Sequence, residues 1–559
     1  MTFSKSARLK NPPIPLWASF KNLLPPEGQK YAVYYLLIIA VLVAYRNIYD
    51  NAFLFDDEFL IINNEYLRHW SSLGKILTSQ TTAGADTYGS FYRPLQNLLY
   101  LIVYQFSGLS LPQYHLLNVF LHVANACLVY RLGCKLGFKS FMAFLAALIW
   151  ALHPLQVEAV TYISATADPL YTLFCLLGVM AVLPDFTRRK ILMACPILVL
   201  ALLSKETAVV FPLLVMSCMF LLSKERLKPV LYLRTWPFWL IIILYVAARP
   251  LLLHLNDFQF FDRPQMVYQL YRGHVYYRLL TCFATLPSYL GLLAWPTHLH
   301  MDRDFPVYLH FWYPETLAGA GLVALAFGQI MSTFSRLRKA NETSIKDGLA
   351  VSWALLWFAA AHLLHTGILV PVNSLFLEHW MYLPSVGLFL GLGQAIQLQF
   401  ERPQLQKYKF TATTLTLAIA GLLGFLTYHQ NATWINPDVF YNRILSYGET
   451  SARAHNNLGN YYSSEENYEQ ALEQYRLGLK TADTHPEIHL NIALLLLKLP
   501  PQAAHINEAI DELKRSIEID PNYYSSYEAL AEIYAYQKDD KKESYYRNRA
   551  EEIRKKLIH

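Results

Sequence analysis

FKSFMAFLAALIWALHPLQVEAVTYISATADPLYTLFCLLGVMAVL, residues 138–183, opens and closes in apolar runs, 138–152 and 167–183. The polar stretch between them carries His153, Glu158 and Asp168. A bilayer crossing takes about 20 predominantly apolar residues, and only helices or closed barrels satisfy their backbone in lipid. The segment therefore reads as two neighbouring membrane helices joined by a polar turn. Nine further apolar stretches lie at 31–46, 114–132, 190–204, 207–222, 233–250, 314–332, 349–370, 382–398 and 410–427, about eleven spans in all. Composition agrees. Charged residues are 16% of 559 and hydrophobic residues 54%, against about 25% charge in a soluble domain.

Basic loops set orientation. The clusters are Lys5, Arg8 and Lys10; Arg131, Lys135 and Lys139; Arg188, Arg189 and Lys190; Lys224, Arg226 and Lys228; Arg336, Arg338 and Lys339; and Lys407 and Lys409. With eleven spans and a cytoplasmic N-terminus, all of them fall on the cytoplasmic side. The 47–113 segment and everything after the last span then face outward. This count requires 276–296 to lie in the interface or re-enter from outside, and 95–106 to be a surface helix. The first apolar run lacks a small-residue cleavage site and reads as a retained span. The six cysteines lie mostly in apolar runs without metal-ligand spacing, so neither disulfides nor a zinc site is expected.

From about 431 to 559 the chain changes to polar helices. His455, Leu458, Gly459, Tyr462, Ala471 and Tyr475 follow the tetratricopeptide order of large, small and aromatic residues. His489, Ile492, Ala493, Leu496, Ala509, Leu513 and Pro521 repeat it, and a third unit starts at Tyr527, Leu530, Ala531 and Tyr534. The fold class is all-α: a membrane helical domain over 1–430, with its loop 47–113, and repeat hairpins over 431–559.

Several groups could carry chemistry. FLFDDEFLIINN places Asp56, Asp57 and Glu58 just after the first span, where a carboxylate can serve as a general base or merely cap a helix. Ionisable residues at membrane depth, here His153, Glu158 and Asp168, are functional candidates. Glu378 and His379 form a second outward pair. Cations collect on the same side as Arg93, Lys205, Arg249, His300 and Arg303. They suit a phosphate, or pairing with Glu206, Asp302 and Asp304. His115, Asn118, His122 and Asn125 form one helical stripe, read as hydrogen-bonding glue between helices. No Walker loop, dinucleotide fingerprint, HExxH or nucleophile elbow occurs, so hydrolase and ATPase readings lack support.

In this order, FDDEFLIINN (55–64), YRPLQNLLY (92–100), YHLLNVFLHVANA (114–126), HPLQVEAVTYISATADPLY (153–171), LLSKET (202–207), WPTHLHMDRDF (295–305) and LEHWMYLPSVGL (377–388) resemble the transmembrane and tetratricopeptide-repeat O-mannosyltransferases and their bacterial relatives, within the GT-C glycosyltransferases. The resemblance spans nearly the whole chain. It implies a polyprenyl- or dolichyl-phosphate-linked sugar, possibly mannose, as donor and a protein hydroxyl as acceptor. Asp56 or Asp57 would be the base, and displacement would invert the anomeric carbon. Arg93, His153, Glu158, Asp168, Lys205, Arg249, His300, Arg303, Glu378 and His379 would then bind substrate or lipid phosphate. The resemblance fixes no cofactor and leaves a divalent metal open. Two departures stand out: Ala165-Thr166-Ala167-Asp168 replaces the frequent Gly-Arg-Ala-Asp, and Glu378-His379 the frequent Glu-Arg. With the short tail they point to a bacterial relative, in the cytoplasmic membrane with repeats in the periplasm. Tyr461, Tyr523 and Tyr524 are the expected surface contacts for a peptide acceptor, and no nucleic-acid partner is expected. The rival readings are a non-catalytic scaffold assembling envelope complexes and a transporter. Transporter sites lie near the midplane, not at one surface.

Overall fold

The computed structural model describes residues 31–85, 91–252, 266–303, 305–339, 345–372, 374–448, 451–500 and 503–558. The basic residues Lys5, Arg8 and Lys10, and the acid Asp304, lie outside them. Among the described residues the regular structure is helical, with no strand. The longer helices of the first domain are α1 Ala32–Ala44, α2 Pro94–Ser107, α3 Leu111–Lys135, α4 Ser140–Leu152, α5 Ala167–Val182, α6 Arg188–Ser204, α7 Phe211–Leu222 and α8 Trp236–Leu252. After them come α9 Met266–Gly273, α10 Val275–Ala294, α11 Pro314–Arg338, α12 Ile345–His362, α13 Pro384–Phe400 and α14 Lys409–Asn431. The tail holds α15 Pro437–Leu445, α16 Ala452–Ser464, α17 Tyr468–Thr481, α18 Pro486–Lys498, α19 Ala503–Ile519, α20 Tyr524–Tyr536 and α21 Asp540–Ile558.

Each of the eleven apolar stretches falls on a helix. Five helical segments are long and apolar enough to cross a membrane unaided: Leu111–Lys135, Ile163–Val182, Pro314–Arg338, Gly348–Thr366 and Gln406–Trp434. A sixth is Ser140–Leu152 with Pro154–Thr161, bent by 57°. Ala32–Ala44, Glu206–Leu222 and Trp236–Pro250 are apolar but shorter. Proline opens α2, α11, α13, α15 and α18, where its missing N–H costs nothing.

The polar stripe of α3 does act as glue. His122 contacts Tyr382 Oη (2.7 Å) and Ala151 O (2.9 Å), and Asn125 donates to Pro169 O at 2.8 Å. Asn118 accepts from Thr166 Oγ1, and His115 meets Asn51 O at 2.9 Å. All four side chains are buried. Close helix approach elsewhere relies on glycine. A Cβ at Gly387 of α13 would lie 2.5 Å from the Trp357 ring of α12.

One end of this bundle, the site face, gathers the ends of α1, α4 and α14. Asn51 donates to Asn431 O (3.1 Å), Asn431 Nδ2 to Ala44 O (3.3 Å), and Thr161 to Asn431 Oδ1 (2.6 Å). The 276–296 stretch falls on the helix α10, and several of its contacts lie at this face. Leu293 O near its end meets His153 Nε2 at 3.0 Å, at the end of α4. Tyr289 packs edge-on against His362 at the end of α12. Thr281 bonds Tyr308 N, just before α11, at 3.1 Å. A Cβ on Gly319, in the second turn of α11, would lie 1.8 Å from Phe283 O. Thus α10 touches the ends of α4 and α12 and packs closely on the start of α11. At the opposite end Lys135 donates to Met180 O (2.9 Å) and Lys139 pairs with Glu401 (2.8 Å), so the basic loop after α3 meets the ends of α5 and α13.

The tail is a series of helical hairpins: α16 with α17, α18 with α19, and α20 with α21. The aligned repeat positions form their seams. Leu458 and Ala471 are fully buried, and a Cβ on Gly459 would lie 2.5 Å from the Tyr475 ring. Trp434, Phe440, Tyr441, Ile444, Ala454 and Leu458 belong to the same core as the membrane helices. The first hairpin is thereby fused to the bundle at the site face.

Candidate active site

The acidic loop follows α1 and a short turn. Phe55 has a φ of 54°, a left-handed conformation uncommon for a bulky residue. It is held there by Phe440 and Tyr441, 5.8 and 5.6 Å from its ring, and by the Tyr162 hydroxyl, which accepts from Asp56 N at 3.0 Å. The consequence is a sharp division between neighbours. Asp57 points inward and is 1% exposed. Its Oδ2 accepts from Leu54 N at 2.9 Å, and its Oδ1 from Ser164 N at 2.8 Å and from the Ser164 hydroxyl. Burial pushes its carboxyl up to about 7, against those hydrogen bonds. Asp56 is exposed, and its carboxylate accepts no hydrogen bond from a described residue. It lies in the field of Arg453, whose guanidinium sits 5.2 Å above the Phe55 ring. Glu58 begins a short π-helical turn, Glu58–Ile62, and is exposed.

The turn after α4 supplies the next layer. Glu158 is 1% exposed; its Oε1 meets His379 Nδ1, while its Oε2 has no partner among the described residues. His379 Nε2 is 4.0 Å from Asp168, which binds Lys205 Nζ through both oxygens at 2.7 and 2.8 Å. Glu158, His379, Asp168 and Lys205 thus form one buried chain. Glu378 accepts from His300 N (2.9 Å) and from Arg303 (3.0 Å). Burial first, and the Glu158 charge second, hold its carboxyl above the usual range. Arg93 binds Glu206 bidentately at 3.0 and 2.7 Å, the pairing that the bland reading of these cations expected. Arg249 lies at the end of α8 beside Tyr245.

Not every candidate reaches this centre. His153 is spent on structure, with Nδ1 accepting from Leu155 N and Nε2 on Leu293 O. Tyr461, Tyr523 and Tyr524, expected on the surface, are each half-buried against packing clusters. The large exposed tyrosines of the repeats are Tyr536 and Tyr545. Sequence reasoning missed the tail's contribution. Asp302 is bound by Arg453 and by Ser451 Oγ (2.7 Å), and Tyr162 stacks on Trp434 at 5.7 Å. These residues carry no local signal, because their partners lie more than a hundred positions away.

Helical spans, a charged centre at one end and hairpins fused over it define a multi-pass membrane protein with a candidate site at one surface. Over 499 residues the chain is 24% identical to the human protein O-mannosyl-transferase TMTC3, covering 82% of this chain and 52% of that protein. It is 25% identical over 500 residues to mouse TMTC3, with the same coverage. To the Caenorhabditis elegans protein O-mannosyl-transferase F38B6.6 it is 25% identical over 449 residues, 78% of this chain and 60% of that one. These comparisons relate the chain to the TMTC protein O-mannosyl-transferases, the family its motifs resemble. It spans about half the length of the curated TMTC3 relatives. No family model matches it.

Proposed function

We propose that the chain transfers a sugar, mannose by the names of its relatives, from a polyprenyl- or dolichyl-phosphate carrier to a hydroxyl of a protein acceptor. The observation that carries this reading is Asp56: an exposed, unbonded carboxylate on a left-handed turn, beside a buried charged centre. Asp56 takes the acceptor proton. The acceptor oxygen bonds to the anomeric carbon as the bond from that carbon to the phosphate oxygen breaks, and the phosphate leaves on its lipid. A single displacement inverts the carbon.

The other residues divide by what they already bind. Asp57 positions the loop through Ser164 and Leu54. Lys205 and Arg93, with Arg249 nearby, receive the departing phosphate; Asp168 and Glu206 hold the first two in place before it forms. Glu158, His379, Glu378, His300 and Arg303 shape the space beside them. The repeats bind the acceptor polypeptide, with the visible edges of Tyr461, Tyr523 and Tyr524 contributing contacts. The alternation of basic loops supports a site face and repeats on the non-cytoplasmic side of the membrane, and the Ala165-Thr166-Ala167-Asp168 and Glu378-His379 departures support a bacterial cytoplasmic membrane, where that side is the periplasm.

The test is transfer of mannose from a polyprenyl-phosphate carrier to a serine- and threonine-rich polypeptide by the purified chain. Asp56→Asn is expected to lower the rate by about 10²–10⁴-fold. Wild-type transfer by that variant would end the assignment. A scaffold would show no turnover in either form.

A further inference from the structure

The residue that opens the repeat pattern is bonded differently in each tail hairpin. In the first, His455 of α16 meets Gln474 Oε1 of α17 at 2.8 Å through Nδ1. In the third the position holds Tyr527, whose hydroxyl donates to Pro521 O at 3.1 Å. In the second, His489 of α18 sets both ring nitrogens on carboxylates. Its Nδ1 meets Glu512 Oε2 of α19, and its Nε2 meets Asp483 Oδ1, in the turn before α18, at 2.7 Å. His489 is 4% exposed. Glu512 stands three residues after Ala509, as Gln474 stands three after Ala471. The first two hairpins therefore share one geometry and differ in its charge.

A neutral imidazole has one N–H and one lone pair. It can serve one carboxylate, and must then turn its lone pair on the other; only the imidazolium donates to both. The cation touching this group is Arg515 of α19, which binds Asp483 Oδ2 at 3.1 Å and Glu518 at 3.0 Å. On the other elements packed against α18, Arg476 of α17 pairs with Glu508 at 3.3 Å, His455 of α16 is on Gln474, and Glu528 and Glu532 of α20 are exposed. His485 and Glu487, at the start of α18, pair with each other at 3.0 Å. Burial works against the imidazolium, but the bonds to Glu512 and Asp483 outweigh it and hold the His489 ring above its ordinary 6.5. We propose that His489 makes the second hairpin a pH-responsive joint in the repeat array. Charged, it ties α18 to α19 and to the turn before α18; when it loses its proton this hairpin loosens, while the first stays packed on the bundle. The tie is complete below pH 6.5 and is lost as pH rises through the raised value. The joint does not depend on sugar transfer; where the repeats hold an acceptor polypeptide, its opening would weaken their grip.

The experiment is hydrogen–deuterium exchange on the full chain in lipid nanodiscs, read by mass spectrometry from about pH 6 to about pH 9 and corrected for the intrinsic pH dependence of amide exchange. Protection of α18 and α19 should fall about ten-fold across that range, the worth of a lost charged hydrogen bond, while that of α16 stays level. The double variant Asp483→Asn, Glu512→Gln offers a neutral His489 a donor for one nitrogen and an acceptor for the other, and the new asparagine keeps an oxygen for Arg515. Its α18 and α19 should hold level protection throughout. If that variant fails to fold, Glu512→Gln alone, which copies the His455–Gln474 pair of the first hairpin, should show a smaller fall than the wild type. Level protection of α18 and α19 in the wild type, an equal fall in α16, or an undiminished fall in the variant would each overturn the joint.

Discussion

Asp56 and Asp57 are adjacent in the chain and opposite in circumstance, and their amides should fail in opposite ways. In Asp57→Asn one carboxylate oxygen becomes an NH₂ group, while three donors still converge: Leu54 N, Ser164 N and the Ser164 hydroxyl. Whichever way the amide lies, its nitrogen faces at least one of them. A buried N–H left without an acceptor costs about 1–3 kcal/mol, partly offset because the variant no longer buries a charge. Asp56→Asn breaks no hydrogen bond of the side chain and lies in solvent, so its stability should stay within about 0.5 kcal/mol of wild type. Thermal unfolding followed by tryptophan fluorescence, beside mannose transfer from a polyprenyl-phosphate carrier, separates the two. Asp57→Asn should unfold at lower temperature and keep partial transfer, and Ser164→Ala should resemble it more mildly. Asp56→Asn should unfold like wild type and lose transfer. A stable but inactive Asp57→Asn beside an active Asp56→Asn would exchange the two roles and refute the geometry argued for the loop.

The raised carboxyl of Asp57 makes stability depend on pH. Because the fold prefers its protonated form, its stabilisation is complete below the ordinary value of 3.8 and is lost as pH rises through about 7; unfolding midpoints should fall across that window in wild type and less in Asp57→Asn. Gly319→Ala would place its Cβ 1.8 Å from Phe283 O; forcing α10 and α11 apart should cost about 1–3 kcal/mol and lower the unfolding midpoint, whereas an unchanged midpoint would contradict this packing. Removing the repeats after Thr481, which spares the first hairpin and its core residues Ala454 and Leu458, should reduce transfer to a polypeptide far more than hydrolysis of the lipid donor. Equal loss of both would make the later hairpins a prop rather than an acceptor site.

The helices were legible because lipid-facing and core-facing residues are both apolar, and each of the eleven runs falls on a helix; only five or six of the helices are long and apolar enough to cross a membrane unaided. The stripe on α3 was legible for a related reason: steps of three and four put His115, Asn118, His122 and Asn125 on one side whatever the tertiary fold. The repeats were read from spacing that closes within one hairpin, as Gly459 does on Tyr475. Partners across the chain were a different matter. Asp56 and Asp57 look equivalent in sequence, and only Ser164, more than a hundred residues on, tells them apart. Arg453 resembles any other arginine of a solvated helix until Asp302 is placed beside it. Repeat position places Tyr461, Tyr523 and Tyr524 on the hairpins but does not report how much of each ring the neighbouring hairpin covers.

The fused core beneath the first hairpin has a mechanical consequence. Trp434, Phe440, Ile444 and Leu458 are packed as interior residues of the bundle, and Arg453 is latched to Asp302. The first hairpin therefore cannot swing on the last membrane helix as a tethered arm would. Its Arg453 stands over the Phe55 ring next to Asp56, like the fence on a saw table. A polypeptide lying along the repeats would meet the carboxylate at an offset fixed by the scaffold, and lengthening the array would extend the gripped stretch without moving the point of attack.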